Sequence, residues 1–527
     1  MIRTLTLLCA LAATALAQSP AEPHPVLAGR TVDAKGQPVR KVSLTLRPIE
    51  TNPAGDPLAP YFVTSDSAGN FEFYGLPTGR YRLMADRTGY LKTLYGARNT
   101  WAPGTILTLG AGPPLTGITV RMVEQAVLSG RVISDENASF WSVEVYQQQY
   151  QNGRKRWVCV DAVNTPGEFS FNKLKPGRYR LGVVGTIILV GTAEAAPGAP
   201  GYVTTYFPGV TDPAAAESIE LRPGQTISDI RLPRLKAPMS ALSGSVVRKA
   251  GGSSVSPLVY LAAAGSDSAG NVSLSARGRF KLDSIQAGSY ILGVVEGTLD
   301  RRLLGWQTVR VSGDVEAPAF DLDSIALRGT VQFDHGAPSG AKLRVRLTPV
   351  EDPTPYYAQA EVMPDGTFAI PGSFAGPFRI DVEGLPAGAY LKSAAYGKQD
   401  ALGVLNLAFQ PGDEKLAIVL GANGAQISGA VRDEDGKPLD GVVTLIPDPP
   451  QPQKASLYRL AETAENGRFQ FQGIPPGKYR LYAWEEFESG AQFDPEVTAP
   501  FQPRSVSIEV TEGERKEVTL PRIPADK

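Results

Sequence analysis

Two cysteines and two histidines in 527 residues exclude most of the chemistry that thiolates and imidazoles perform. His24 and His335 stand too far apart in sequence to read as a His-rich zinc site or as a set of catalytic triads. Cys9 lies in an N-terminal apolar run, so an exported chain keeps Cys159 alone and forms no internal disulfide. Val158-Cys159-Val160 reads as a strand interior in which the thiol acts as a small buried hydrophobe. Charge is balanced: 52 Lys and Arg against 53 Asp and Glu give a net −1. That balance argues against a nucleic-acid partner and against a solvating acidic tail. Long apolar runs are missing too. Past the N-terminus the uncharged apolar run Leu181 to Ala193 spans 13 residues and is broken by three glycines. A membrane helix needs about 18 or more. No nucleophile elbow, phosphate-cradling Gly-Lys-Ser/Thr or His-Glu-x-x-His occurs. The expectation is a non-enzyme with no catalytic residue, no cofactor and no metal assigned.

What the chain has in quantity is turn residues, with 55 Gly and 44 Pro, alongside 42% hydrophobic residues. It can build cores, and the many turns require short strands, which points to an all-β fold. The N-terminus reads as a signal peptide over residues 1–17: Arg3, an apolar run from Leu5 to Leu16, and Ala15-Leu16-Ala17 before the cut. The mature product is expected to be secreted or periplasmic, monomeric and without a transmembrane segment.

One pattern recurs five times. A Gly-x-Phe step is followed by an apolar residue and then, 8 and 10 positions after the Phe, by a Gly and an aromatic. The copies run Phe71, Leu76, Gly79, Tyr81; Phe169, Leu174, Gly177, Tyr179; Phe280, Ile285, Gly288, Tyr290; Phe368, Phe374, Gly376, Phe378; and Phe469, Ile474, Gly477, Tyr479. A second pattern, apolar-x-Gly, opens each unit at Leu27, Leu128, Leu242, Leu327 and Ile427. Its spacings are 101, 114, 85 and 100 residues (128−27, 242−128, 327−242, 427−327). A period this long marks tandem domains. The expected bounds are 24–124, 125–236, 239–324, 325–422 and 425–524, joined by short Pro-containing linkers into an extended, semi-rigid array.

The last unit parses most easily. Alternating runs at Ile427–Arg432, Val442–Ile446, Leu457–Thr463, Arg468–Gln472, Tyr479–Trp484, Ser505–Val510 and Glu517–Leu520 predict seven short strands and a two-sheet sandwich. In Ile474-Pro475-Pro476-Gly477 the prolines start a turn and Gly477 is expected in a left-handed position. Tyr479 then enters the next strand with its hydroxyl tied back to the turn, as in a tyrosine corner. Asp433, Asp435 and Asp440 around Gly436 offer oxygens for calcium, though Asp-Gly is equally ordinary hairpin chemistry.

The run Gly29-Arg30-Thr31-Val32-Asp33-Ala34-Lys35-Gly36-Gln37-Pro38-Val39, with Asp66 through Leu83, resembles the carboxypeptidase regulatory-like domain. Gly429 through Leu439, with Asn466 through Tyr479, resembles it equally; the middle units keep the second half of the pattern and blur the first. The resemblance implies five tandem Ig-like or transthyretin-like seven-strand β-sandwiches, similar to starch-binding-like and collagen-adhesin B-type domains. It implies a non-catalytic appendage, with no catalytic residues to carry over. Collagen-adhesin domains often hold a Lys–Asn isopeptide, but Arg30, Arg131, Arg248 and Arg432 stand on the opening strands.

Aromatics outside the repeat are the candidate ligand contacts: Trp101 and Tyr206 in loop-like segments, and Trp484 beside Glu485 and Asp494. Flat rings next to polar groups stack on sugars or grip peptides. The same rings could instead anchor a long connection. The expected function is an exported binding or spacer protein at a bacterial envelope with carbohydrate as ligand, or alternatively a scaffold for an envelope protein partner.

Overall fold

The computed structural model describes residues 27–524, apart from 51–55, 97–103, 111, 136–140, 152–153, 186–199, 249–256, 264–268, 274–277, 297–301, 336–340, 352–355 and 409–412. The proposed signal peptide and Trp101 lie outside the described residues. The fold is all-β, and the chain divides into two compact units, Met1–Glu124 and Gln125–Lys527.

The two sequence patterns meet in space. The Gly of each opening step is the cross-strand partner of the Phe of each Gly-x-Phe step. Gly29 faces Phe71, Gly130 faces Phe169, Gly244 faces Phe280, Gly329 faces Phe368 and Gly429 faces Phe469. Lack of a side chain makes room for the ring. A Cβ on Gly429 would lie 2.9 Å from Phe469 Cζ and 2.0 Å from the Val518 carbonyl oxygen. That oxygen belongs to the closing strand, because first and last strands of each repeat pair in parallel.

In the first unit the strand Leu27–Val32 lies between Asn70–Phe73 and Leu115–Arg121. A second sheet is built on Ser43–Pro48 and Gly79–Asp86. Alternate residues of each strand point inward, so Leu44, Leu46, Phe71, Phe73, Tyr81, Leu83, Ile118 and Val120 form one core. Each such fully buried side chain contributes about 1.5–3 kcal/mol. All seven strands expected in the last repeat are present, from Ala425–Arg432 to Arg515–Ile523.

The corner is as expected in its hydrogen bond and in the positive φ of its glycine. The hydroxyl of Tyr81 donates to the Pro77 carbonyl at 2.8 Å, Tyr179 to Lys175 at 2.7 Å, Tyr290 to Gln286 at 2.7 Å and Tyr479 to Pro475 at 2.9 Å. The glycine two residues earlier is at positive φ, 156° at Gly477, 159° at Gly79, 150° at Gly177 and 129° at Gly376, larger than a left-handed helical value. The ring lies beneath it, 3.6 Å from where a Cβ of Gly477 would sit.

Burial pushes the Tyr479 phenol up to about 12 from an ordinary 10. Below pH 10 the neutral hydroxyl is present folded and unfolded. Between pH 10 and 12 the unfolded chain ionises first, so the stability this group contributes is lost as pH rises. Tyr479→Phe should cost about 1 kcal/mol at pH 7. At pH 11.5 the native protein has lost about 2 kcal/mol through this group and the variant has not, so the order should invert. Denaturant melts of the two proteins at both pH values check this.

Within Gln125–Lys527 the array is not extended, contrary to the linker reading. The boundary expected at 324 is crossed by a strand pair, Arg302–Val311 beside Ser373–Phe374. Trp306, fully buried, packs edge-on to Phe378 at 5.4 Å. The second repeat also reaches past its sequence neighbour to the fourth and fifth. A large apolar ring and a long hairpin override the short linkers.

Candidate functional site

The connection from Trp484 to Ser505 carries three of the expected contact residues. It is wound into short helical turns at Ala491–Phe493, Pro495–Thr498 and Ala499–Arg504. Asp494 caps the middle turn, its Oδ1 accepting from the Glu496 amide at 3.0 Å, and Pro495 follows in the first helical position. This is a favoured start for a helix. The side chains of the connection turn inward onto the last sandwich.

Trp484 is 4% exposed. Its indole N–H donates to Thr444 Oγ1 at 3.0 Å, its ring stacks on Tyr482 at 5.4 Å, and Phe487 and Phe501 close around it at 4.8 and 5.1 Å. The ring is an anchor for the connection and presents no free face to a sugar. Glu485 pairs with Arg522 at 3.3 Å, and its amide donates to the Ile523 carbonyl at 2.8 Å. Tyr206 is buried in the second repeat, 6.0 Å from Tyr146. Packing therefore brings Trp484, Glu485 and Asp494 onto one connection and puts Tyr206 elsewhere.

The outer surface of that connection is occupied by the chain itself. Strands Trp141–Gln151 and Arg154–Thr165 form a hairpin whose far end extends beyond its own sandwich. Only Val143 to Gln147 pair with the neighbouring strand Gly177–Val183. At the tip the Tyr150 hydroxyl donates to Asp494 Oδ2 at 2.6 Å, and the Tyr150 amide donates to Glu488 Oε1 at 3.0 Å. Lys155 Nζ lies 3.7 Å from the same carboxylate. These donors, with the Glu496 amide, hold the Asp494 carboxyl below its usual range although burial opposes it. Gly490 admits the approach: with φ of 98°, a Cβ there would come within 2.8 Å of Tyr150 Cβ. Lower on the same arm, Arg156 donates to the carbonyls of Glu351 at 2.9 Å and Val350 at 3.0 Å.

Sequence reasoning missed Tyr150, Lys155 and Arg156. The signal was present in strand runs too long for a sandwich on either side of Asn152-Gly153, a strong hairpin dipeptide. Cys159, inside the strand Arg154–Thr165 as expected, packs against Tyr146, Tyr206 and Ala216 but is half-buried rather than buried.

The acidic turns are engaged in their own structure. Asp433 Oδ1 accepts from the Lys437 amide at 2.7 Å, and Asp440 pairs with Arg522 at 3.4 Å. Among the described residues, Asp334, His335 and Glu512 bring ligand atoms within 4.8 Å of one another. The Lys392 ammonium, 2.6 Å from Asp334 Oδ2, already supplies a cation there.

Residues 26–123 match the carboxypeptidase regulatory-like domain. No curated protein matches the chain in sequence. Among solved structures, the Bacillus anthracis TIE protein is similar at 10% identity, covering 76% of this chain and 74% of its own, with a TM-score of 0.14. GBS52, the minor pilin of Streptococcus agalactiae, is similar at 11% identity over 41% of this chain and 98% of its own, with a TM-score of 0.20. BcpA, the major pilin subunit of Bacillus cereus, is similar at 10% identity over 56% and 98%, with a TM-score of 0.15. Scores this low transfer neither arrangement nor function to this chain. No helix among the described residues is long and apolar enough to cross a membrane.

Proposed function

We propose that this chain is a non-enzymatic, exported scaffold of five β-sandwich repeats, 24–124, 125–236, 239–324, 325–422 and 425–524, whose last four are locked into one body by an internal arm. The observation that carries the reading is the seating of Tyr150 on Asp494 and Glu488. The connection that resembled a ligand surface has its aromatics packed beneath and its carboxylates engaged above. A spacer that must hold a shape needs contacts of this kind between repeats distant in sequence. Carbohydrate binding through Trp484 is the weaker reading, because its ring is enclosed by Tyr482, Phe487 and Phe501.

The test is the double variant Tyr150→Ala with Arg156→Gln in the full chain. It removes the tip hydroxyl bond to Asp494 and the two donors to the Val350 and Glu351 carbonyls, partly exposed interactions contributing about 1 kcal/mol each, and leaves the amide bond to Glu488. X-ray scattering should show a larger radius of gyration, and hydrogen exchange should quicken in the 484–504 connection. An unchanged radius with unchanged exchange would refute the locked arrangement.

A further inference from the structure

The base of the same arm walls a cleft of about 500 Å³ between the second, third and fourth repeats. Its charge is out of keeping with a chain of net −1. Arg154, Lys155, Arg156 and Arg180 line it against Asp212 and Glu351, four cations to two anions. Part of that charge is engaged: Arg154 lies 3.8 Å from Glu351, Lys155 reaches Asp494, and Arg156 holds two carbonyls.

Arg180 differs. One guanidinium nitrogen donates to the Pro213 carbonyl at 2.7 Å, and the group lies over Trp157, 4.2 Å from the ring centre. Its Nε is buried and has no hydrogen-bond partner. Burial depresses its basicity, with Asp212 the nearby acid that opposes the effect. Arg180 lines the cleft and is half-buried, so an anion there would meet the accessible part of the guanidinium rather than its enclosed Nε. Planar N–H forks suit carboxylate and sulfate oxygens best. Around this group stand Trp157, the edge of Tyr206 and the Asp212 carboxylate, one oxygen of which caps the Ala214 amide. Apolar rings, a carboxylate acceptor and a guanidinium together match the apolar face, the hydroxyls and the acidic substituent of a charged sugar.

We propose that this cleft binds an acidic saccharide, its carboxylate or sulfate held by Arg180 and its ring against Trp157. The cleft is assembled from three repeats, so the proposal rests on the locked arrangement above. Tyr206, expected from sequence to contact a ligand, takes part here as a wall of the site.

Calorimetric titration of the full chain tests it with four probes: trigalacturonate, its neutral methyl ester, a sulfated trisaccharide and triglutamate. At least one acidic saccharide should bind, more weakly as salt is raised. Which one binds separates carboxylate from sulfate. Arg180→Gln should weaken that binding about 10-fold or more. Arg180→Lys, which keeps the charge without the fork, should fall between and serves if the Gln variant does not fold. Equal binding of the methyl ester, equal binding of triglutamate, an undiminished Arg180→Gln variant or no binding at all would each overturn the assignment. Scattering on the same samples separates the causes of failure. A compact array that binds nothing refutes only the cleft; an opened array refutes the scaffold reading as well.

Discussion

Trp484→Ala should destabilise the last sandwich by about 3–5 kcal/mol, the usual loss when a buried aromatic is truncated. The ring is 4% exposed, stacked on Tyr482 and enclosed by Phe487 and Phe501, and its N–H is bonded to Thr444. Truncation leaves a cavity among these rings and an unpaired threonine hydroxyl at the same point. The effect should spread. Phe493 packs on Tyr458 at 4.7 Å in the same small cluster, and Asp494 follows it directly. Loosening the cluster should release the docking surface for the arm. Denaturant melts monitored by far-ultraviolet dichroism give the magnitude, and scattering reports the arm. A loss below about 1 kcal/mol would mean the ring is not the anchor described.

Gly429→Ala should be nearly as severe, about 3 kcal/mol or more, although it adds one methyl group. The new Cβ would lie 2.0 Å from the Val518 carbonyl and 2.9 Å from Phe469 Cζ, and backbone oxygen cannot step aside as a side chain can. Accommodation requires the closing strand to leave its partner. Gly436→Ala is the internal control. No atom lies within 4 Å of its Cβ position, so only the positive φ of 79° opposes it. That should cost about 1 kcal/mol. Equal losses for the two variants would show that the space described at Gly429 is not what the recurring glycine provides.

Much of the fold was legible because it rests on local rules. Alternation located the strands of the last repeat, and Tyr479 four residues after Pro475 announced a hydroxyl that ties back to the turn. The pairing of Gly429 with Phe469 was visible as two separate recurrences. Only register shows they are one device. The candidate site was less legible. Exposure of Trp484 depends on where the following twenty residues fold, and no periodicity encodes that. Asp494 before Pro495 was a helix-start signal hidden inside a segment read as loop. The bond from Tyr150 to Asp494 spans 344 positions, and nothing near either residue marks the other. At Asp433 the Lys437 amide donates to one carboxylate oxygen, the ordinary hairpin chemistry that the sequence equally allowed.

The parallel pairing of opening and closing strands has a mechanical consequence. In the last repeat the chain enters at Gln426, beside Arg515, and leaves past Pro521, beside Arg432. Entry and exit are therefore at opposite ends of one ladder. Tension drawn through the chain pulls these two strands past each other in shear, loading every rung of the seven-pair register together. An antiparallel pair with both ends on one side would peel open one rung at a time. The same geometry closes the first, second and fourth repeats. A tether assembled from such modules would yield by whole-module rupture, and below that threshold it would transmit force with little extension.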